Sequence, residues 1–136
     1  MPGPMLVVDA SSLYEVLTQG VHAETVREAL SADDEHAAPH LVDAEVLSII
    51  RRDYLLGALD RTSADLAITG LREWSGERFG HTVLLDRAWE LRGNVRSWDA
   101  FYVALAELLG ATLVTVDRRL AAAPGLRCPV QVARNA

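Results

Sequence analysis

Four carboxylates in this chain, Asp9, Glu45, Asp99 and Asp117, are of the type and placement that could share one cation. Asp9 closes the apolar run Met5–Val8, and Asp117 closes a second run, Thr112–Val116. Continuous apolar runs of this length read as interior strands of a parallel sheet, covered on both faces. Ligands of such sheets bind just beyond the carboxyl ends of the strands, so these two aspartates are expected to meet there. Several carboxylates cannot crowd one small site and all stay ionised without a cation. An all-oxygen donor set suits Mg²⁺ or Mn²⁺. A metal site is the leading reading.

The elements that must position these groups follow from patterning. After a short start at residues 1–4, the first strand is expected at Met5–Asp9, followed by a helix capped by Ser11 or Ser12 that runs to Thr18 and stops at Gly20. A second helix is expected across His22–Leu30. Pro39 restricts His36–His40 to a short edge strand. Leu41–Leu56 reads as a helix carrying Glu45, and Ser63–Trp74 as another, with Gly70 inside it. Gly76 and Gly80 mark a loop, and His81–Arg92 is helical or mixed. Ser97 starts the clearest helix, Trp98–Leu109, closed by Gly110. A short helix from Asp117 to Ala123 and a last strand at Val130–Val132 complete the chain. Strands alternating with helices give an α/β fold with a mostly parallel sheet. At 136 residues this is one domain spanning 1–136.

Composition narrows the chemistry further. All 13 basic residues other than His are Arg, and there is no Lys. That excludes a phosphate-binding loop, which needs its Lys, and a response-regulator phosphoacceptor domain. The net charge is −6, whereas a nucleic-acid enzyme normally carries a basic footprint. With the four candidate ligands set aside, 15 acids remain against 13 Arg, so RNA binding stays open with weak steering. An acidic surface also suits a basic protein partner. One cysteine, Cys128, allows no internal disulfide and fits a reducing compartment. With no leader or membrane-spanning stretch in view, the expected location is the cytoplasm.

The motifs V-V-D-A-S-S-L at 7–13, Glu45 on a helix after a short strand, S-W-D-A-F-Y-V-A-L-A-E at 97–107 and L-V-T-V-D-R-R-L at 113–120 together resemble the PIN domain. More closely, the chain resembles a VapC-type toxin, the ribonuclease half of a VapBC toxin–antitoxin pair, over nearly its whole length. Each motif is weak alone; all of them in order at these spacings are specific. The resemblance implies a three-layer α/β/α fold and a Mg²⁺- or Mn²⁺-dependent endoribonuclease, with Asp9, Glu45, Asp99 and Asp117 as its acidic positions. The cation would activate a water for in-line attack and stabilise the charged phosphorane. Products would carry a 5′-phosphate and a 3′-hydroxyl. Ser11 and Thr115 match small hydroxyl positions and would support the ligands or touch phosphate. Trp98 stands where many relatives carry Tyr. The resemblance further implies structured RNA such as tRNA or rRNA as substrate, a VapB-like antitoxin lying across the acidic pocket, and a homodimer formed by the helices after Glu45 and before the glycine loop.

Each residue also has a plainer reading. Asp9 and Asp117 could simply cap the helices that follow them, and Asp99 sits in a first turn that favours a carboxylate through the helix dipole. Glu45 could be a solvated side chain, with Asp43 as the helix-start residue. Glu45, Ser48 and Arg52 share a polar face; Arg52 could offset the acids or remain a surface group. Arg118 and Arg119 could meet a substrate phosphate or pair with Glu90 or Glu107. His36 and His40 are denied a shared helix face by Pro39, and His22 and His81 read as surface residues. Cys128 reads as a small buried hydrophobe. Trp74, Phe79 and Trp89 read as core, with base stacking open to an exposed one.

Three other functions compete: an RNA-processing PIN nuclease without an antitoxin, a silent PIN-like binding module, and an aspartyl phosphatase. The module would be expected to lack an acidic ligand, and all four are present. The phosphatase needs a second Asp two residues after the first, where this chain has Ser11.

Overall fold

The structure, a computed structural model, describes residues 5–135; the expected chain start at 1–4 lies outside the described residues. Five strands, β1 (Leu6–Val8), β2 (His36–Pro39), β3 (Glu77–Phe79), β4 (Thr112–Thr115) and β5 (Val130–Val132), form one sheet in the order β3-β2-β1-β4-β5. Every pairing is parallel. β1 is buried along its length, as the absence of polar alternation in Leu6-Val7-Val8 requires.

Among the described residues seven helices accompany the strands: α1 (Ala10–Thr18), α2 (Ala23–Leu30), α3 (Leu41–Leu55), α4 (Arg61–Glu73), α5 (Leu85–Glu90), α6 (Ser97–Leu109) and α7 (Arg118–Ala121). A 3₁₀ turn at Thr82–Leu84 leads into α5. The main core joins Val7, Val8, Ala37, Ala38 and Leu113 of the sheet to Leu13, Val42, Val46 and Val103 of the helices. A smaller one joins Leu6 and Val114 to Val26 and Ala29 of α2. The result is the three-layer α/β/α arrangement with a parallel central sheet. No helix among the described residues is long and apolar enough to cross a membrane.

Three local expectations are corrected. Asp9, not Ser11 or Ser12, caps α1, accepting the Ser12 N–H, and the helix closes on Gln19 in the left-handed region at φ 57° rather than on Gly20. β2 is interior rather than an edge. Its ladder to β1 runs only through His36 and Ala37, so it has ended before Pro39, where the missing N–H costs nothing. The Gly76–Gly80 loop contains the edge strand β3, whose Glu-Arg-Phe sequence carries little strand signal and depends on pairing with β2.

Candidate active site

The parallel register sets the site. Val8 of β1 is level with Val114 of β4, and the Asp9 N–H continues the ladder to the Val114 carbonyl at 3.2 Å. Asp9 and Thr115 therefore leave the sheet side by side, with Asp117 two residues further on. The chain moves outward from β1 to β2 and β3, then returns to place β4 on the other side of β1. The β1–β4 boundary is thus the point where the strand order reverses, and a crevice opens there beyond the carboxyl ends.

Asp9 is buried, 5% exposed. Its Oδ1 accepts from Ser11 Oγ at 2.8 Å and from the Ser12 N–H at 2.9 Å. Burial pushes its carboxyl up; the hydroxyl of Thr115, the Ser12 N–H and the hydroxyls of Ser11 and Ser12 oppose that rise. Asp117 likewise caps α7 through the Arg119 N–H at 2.8 Å, while its own N–H donates to Thr115 Oγ1 at 3.0 Å.

Glu45 lies one turn into α3 and is half-buried. Its Oε1 accepts from the Tyr102 hydroxyl at 2.7 Å. Burial pushes its carboxyl up, as do the charges of Asp99 and Asp9, while Tyr102 opposes them. Asp99, in the first turn of α6, is pushed up to about 6 by burial and then by the charges of Asp9 and Asp117; Arg96 and Arg119 partly offset this. Asp99 is the hub, electrostatically coupled to each of the other three.

No ion pair among the described residues includes Asp9, Glu45 or Asp99. Asp117 has only Arg119, 3.6 Å away. Among the described residues no three His, Cys, Asp or Glu side chains are gathered closely enough to clasp an ion. The donor chemistry fits a divalent cation: hard carboxylate oxygens, partly withdrawn from water, without a matching set of bound cationic side chains.

Other expectations fall differently. Arg119 lines the cleft with Asp99 and Asp117, whereas Arg118 is exposed and forms no ion pair among the described residues. Neither arginine reaches Glu90 or Glu107; both acids bind Arg87. Arg52 turns to Asp53, away from the acids, while Ser48 lines a pocket with Glu45 and Trp98. Asp43, in the first turn of α3, pairs with Arg78 through two bonds at 2.8 and 3.2 Å. His81 is not a surface group: its Nε2 accepts the Leu41 N–H at 3.0 Å, satisfying an orphan donor of α3, and its ring lies against Phe101. His22 is half-buried, its Nδ1 accepting the Asn135 N–H. Cys128 is half-buried against the core, and burial pushes its thiol up to about 11. Trp74 and Phe79 pack on the core, but Trp89 is 67% exposed.

Tyr102 is the residue at the site not singled out from the sequence. Tyr102 follows Asp99 by one helical turn, which puts both on one face; that spacing was the available signal.

The PIN domain family model matches residues 6–126. The chain belongs to the PIN-domain family. Its relatives include Ribonuclease VapC1 of Mycobacterium tuberculosis, 39% identical over 129 residues covering 94% of this chain and 97% of that protein. Ribonuclease VapC3 of the same species is 41% identical over 123 residues, covering 90% and 89%. Among solved structures, PAE2754 from Pyrobaculum aerophilum superposes with a TM-score of 0.67 at 26% identity, covering 95% of this chain and 84% of that one. The PIN-domain match thus contains all four carboxylates.

Proposed function

We propose that this PIN-domain chain is the toxin of a type II toxin–antitoxin pair, a metal-dependent endoribonuclease acting as one domain over residues 1–136. It would hydrolyse phosphodiesters of structured RNA such as tRNA or rRNA in the cytoplasm and be silenced by a VapB-like antitoxin. The observation that supports the reading is the electrostatic coupling of Asp99 to Asp9, Glu45 and Asp117 near the strand-order reversal, in a chain similar to proteins named VapC ribonucleases.

Asp9, Asp99 and Asp117, with Glu45, would hold Mg²⁺ or Mn²⁺. When bound, the ion supplies Lewis acidity at the phosphodiester and a more acidic water. The chain's own residues keep the ligands in place. Ser11 and the Ser12 N–H orient the Asp9 carboxylate. Thr115 fixes the backbone that presents Asp117, and Tyr102 holds Glu45. Arg119 stands beside the cleft where a phosphate would enter, and Arg118 is free to reach one. Without involvement of a 2′-hydroxyl, products carry 5′-phosphate and 3′-hydroxyl ends.

The homodimer is part of the same proposal. Leu47, Tyr54, Leu55 and Leu56 on and just after α3, with Leu66 on α4, leave an exposed apolar face that a second copy would cover. An antitoxin segment would instead cross the acidic crevice, its basic side chain competing with the cation for Asp9 or Asp117.

The test is induction of wild type beside Asp9→Asn in growing cells, with RNA sequenced for new 5′-phosphate ends, and purified protein assayed with and without chelator. Growth arrest and discrete new ends from wild type alone, lost with chelator, are expected. Full cleavage by nuclease-free Asp9→Asn would overturn the site. Cleavage in vitro without growth arrest would replace the toxin with an RNA-processing nuclease.

A further inference from the structure

We propose that the groove walled by Trp89, Arg92 and Arg96 is a nucleotide subsite, holding a single-stranded base and its phosphates beside the bond that is cut. It rests on the nuclease reading above and adds a location for the flanking RNA. The groove encloses about 530 Å³, a size that accommodates a nucleotide. Val95 and Arg96 line both this groove and the smaller cleft that contains Asp99 and Asp117, so a strand leaving the acidic crevice runs directly into it.

The side chains suit that occupant. Trp89, on α5, is 67% exposed, an unusual position for an indole whose apolar area is better buried. The Arg92 guanidinium lies 4.4 Å from the ring centroid and Nη1 donates to the Trp89 carbonyl at 2.9 Å. The guanidinium therefore covers and braces one face of the ring, so that a base would stack on the opposite face while the same charge stands within reach of its phosphate. Arg96 forms no ion pair among the described residues. Val95, Ala100 and Phe101 supply an apolar floor. The wall has one acid, Asp86, against two arginines, in a chain whose net charge is −6. That local reversal of sign matches a polyanion and explains how an acidic protein could retain RNA.

The test uses the cleavage-silenced Asp9→Asn protein in Mg²⁺ with a fluorescein-labelled 12-nucleotide RNA of randomised sequence, read by anisotropy. In that background Trp89→Ala should weaken binding about tenfold or more, and Trp89→Phe should restore most of it. Arg92→Gln and Arg96→Gln should each weaken binding and reduce the salt slope by about 0.7. A 4-thiouridine version of the RNA should crosslink to the peptide containing Trp89. Unchanged affinity and salt slope in all of these variants, with the parent still binding and wild type still cutting, would overturn the subsite and leave the nuclease standing. Failure of the parent to bind and of wild type to cut would overturn both. Conversion of a dimer to monomers by Trp89→Ala, with RNA affinity unchanged, would assign the groove to a second copy and overturn the subsite.

Discussion

Asp99 and Glu107 lie on the same helix, α6, and both are acids partly withdrawn from water, yet their surroundings are opposite. Burial pushes Glu107 up too, but Arg87 binds it through Nε at 2.6 Å and Nη2 at 3.1 Å, and the Arg127 N–H adds a third bond at 2.8 Å. Together these hold its carboxyl below its ordinary value. Arg87 also donates to Glu90 and to the Gly125 carbonyl, so it ties α5, α6 and the turn before β5 into one structural clamp. Asp99 instead faces Asp9 and Asp117 and is pushed up to about 6. One end of the helix resolves its charge with arginine and contributes to the fold. The other leaves its charge without a bound arginine, which destabilises the ionised carboxyl. Charge pairing, more than burial, distinguishes these two acids.

The sharpest way to break that contrast is Asp99→Asn. Cleavage of RNA should fall by two or more orders of magnitude, measured as initial rates at saturating Mg²⁺. The same substitution should make the metal-free protein more stable, by on the order of 2 kcal/mol at neutral pH, since one pKa unit corresponds to about 1.4 kcal/mol. The sign follows from linkage. A carboxyl whose folded pKa lies above its unfolded value binds more protons in the folded state, so its contribution to stability falls as pH rises from about 4 through about 6. Calorimetry in chelator should therefore show wild type losing stability between pH 4 and 7, with a flatter profile for Asp99→Asn. An equal pH profile for the two would show that Asp99 is not charge-stressed.

Arg87→Ala should do the reverse. Removing the guanidinium leaves Glu107 half-buried without its partner, costing about 2 kcal/mol and several degrees in Tm. Cleavage rates below the melting range should stay within about twofold of wild type. A large loss of kcat in folded Arg87→Ala would erase the distinction between the two ends of the helix.

Tyr102→Phe is the smallest change. Glu45 loses a hydrogen bond of 2.7 Å while the ring still fills the core. Stability should shift by about 1 kcal/mol, and the Mg²⁺ dependence of cleavage should move to higher concentration by about threefold to tenfold, in line with the loss of a ligand-orienting group. An unchanged metal titration would confine Tyr102 to packing.

Much of the architecture is legible in the sequence. The apolar runs at Leu6–Val8 and Thr112–Val116 have no polar alternation, so both had to be interior strands, and a carboxylate at the end of each had to reach the same rim. α6 was equally plain, with Asp99 in its first turn and Gly110 closing it at φ 64°. Glu45 was harder, because a single helical Glu has no local feature separating it from a solvated one; Tyr102, 57 residues away, supplies the difference. β3 escaped for a related reason: three residues of mixed polarity form a strand only when β2 offers them a ladder.

The sequence by itself determined the parallel α/β order and the main helices, because period and end signals are written in neighbouring residues. The tertiary structure alone decided that β2 is interior, that His81 caps α3, that Arg87 rather than Arg118 or Arg119 takes Glu107, and that Trp89 is exposed beside Arg92. Those outcomes depend on which segments become neighbours across the sheet, and in this chain contacts between distant residues set both the charge balance of each acid and the exposure of each aromatic.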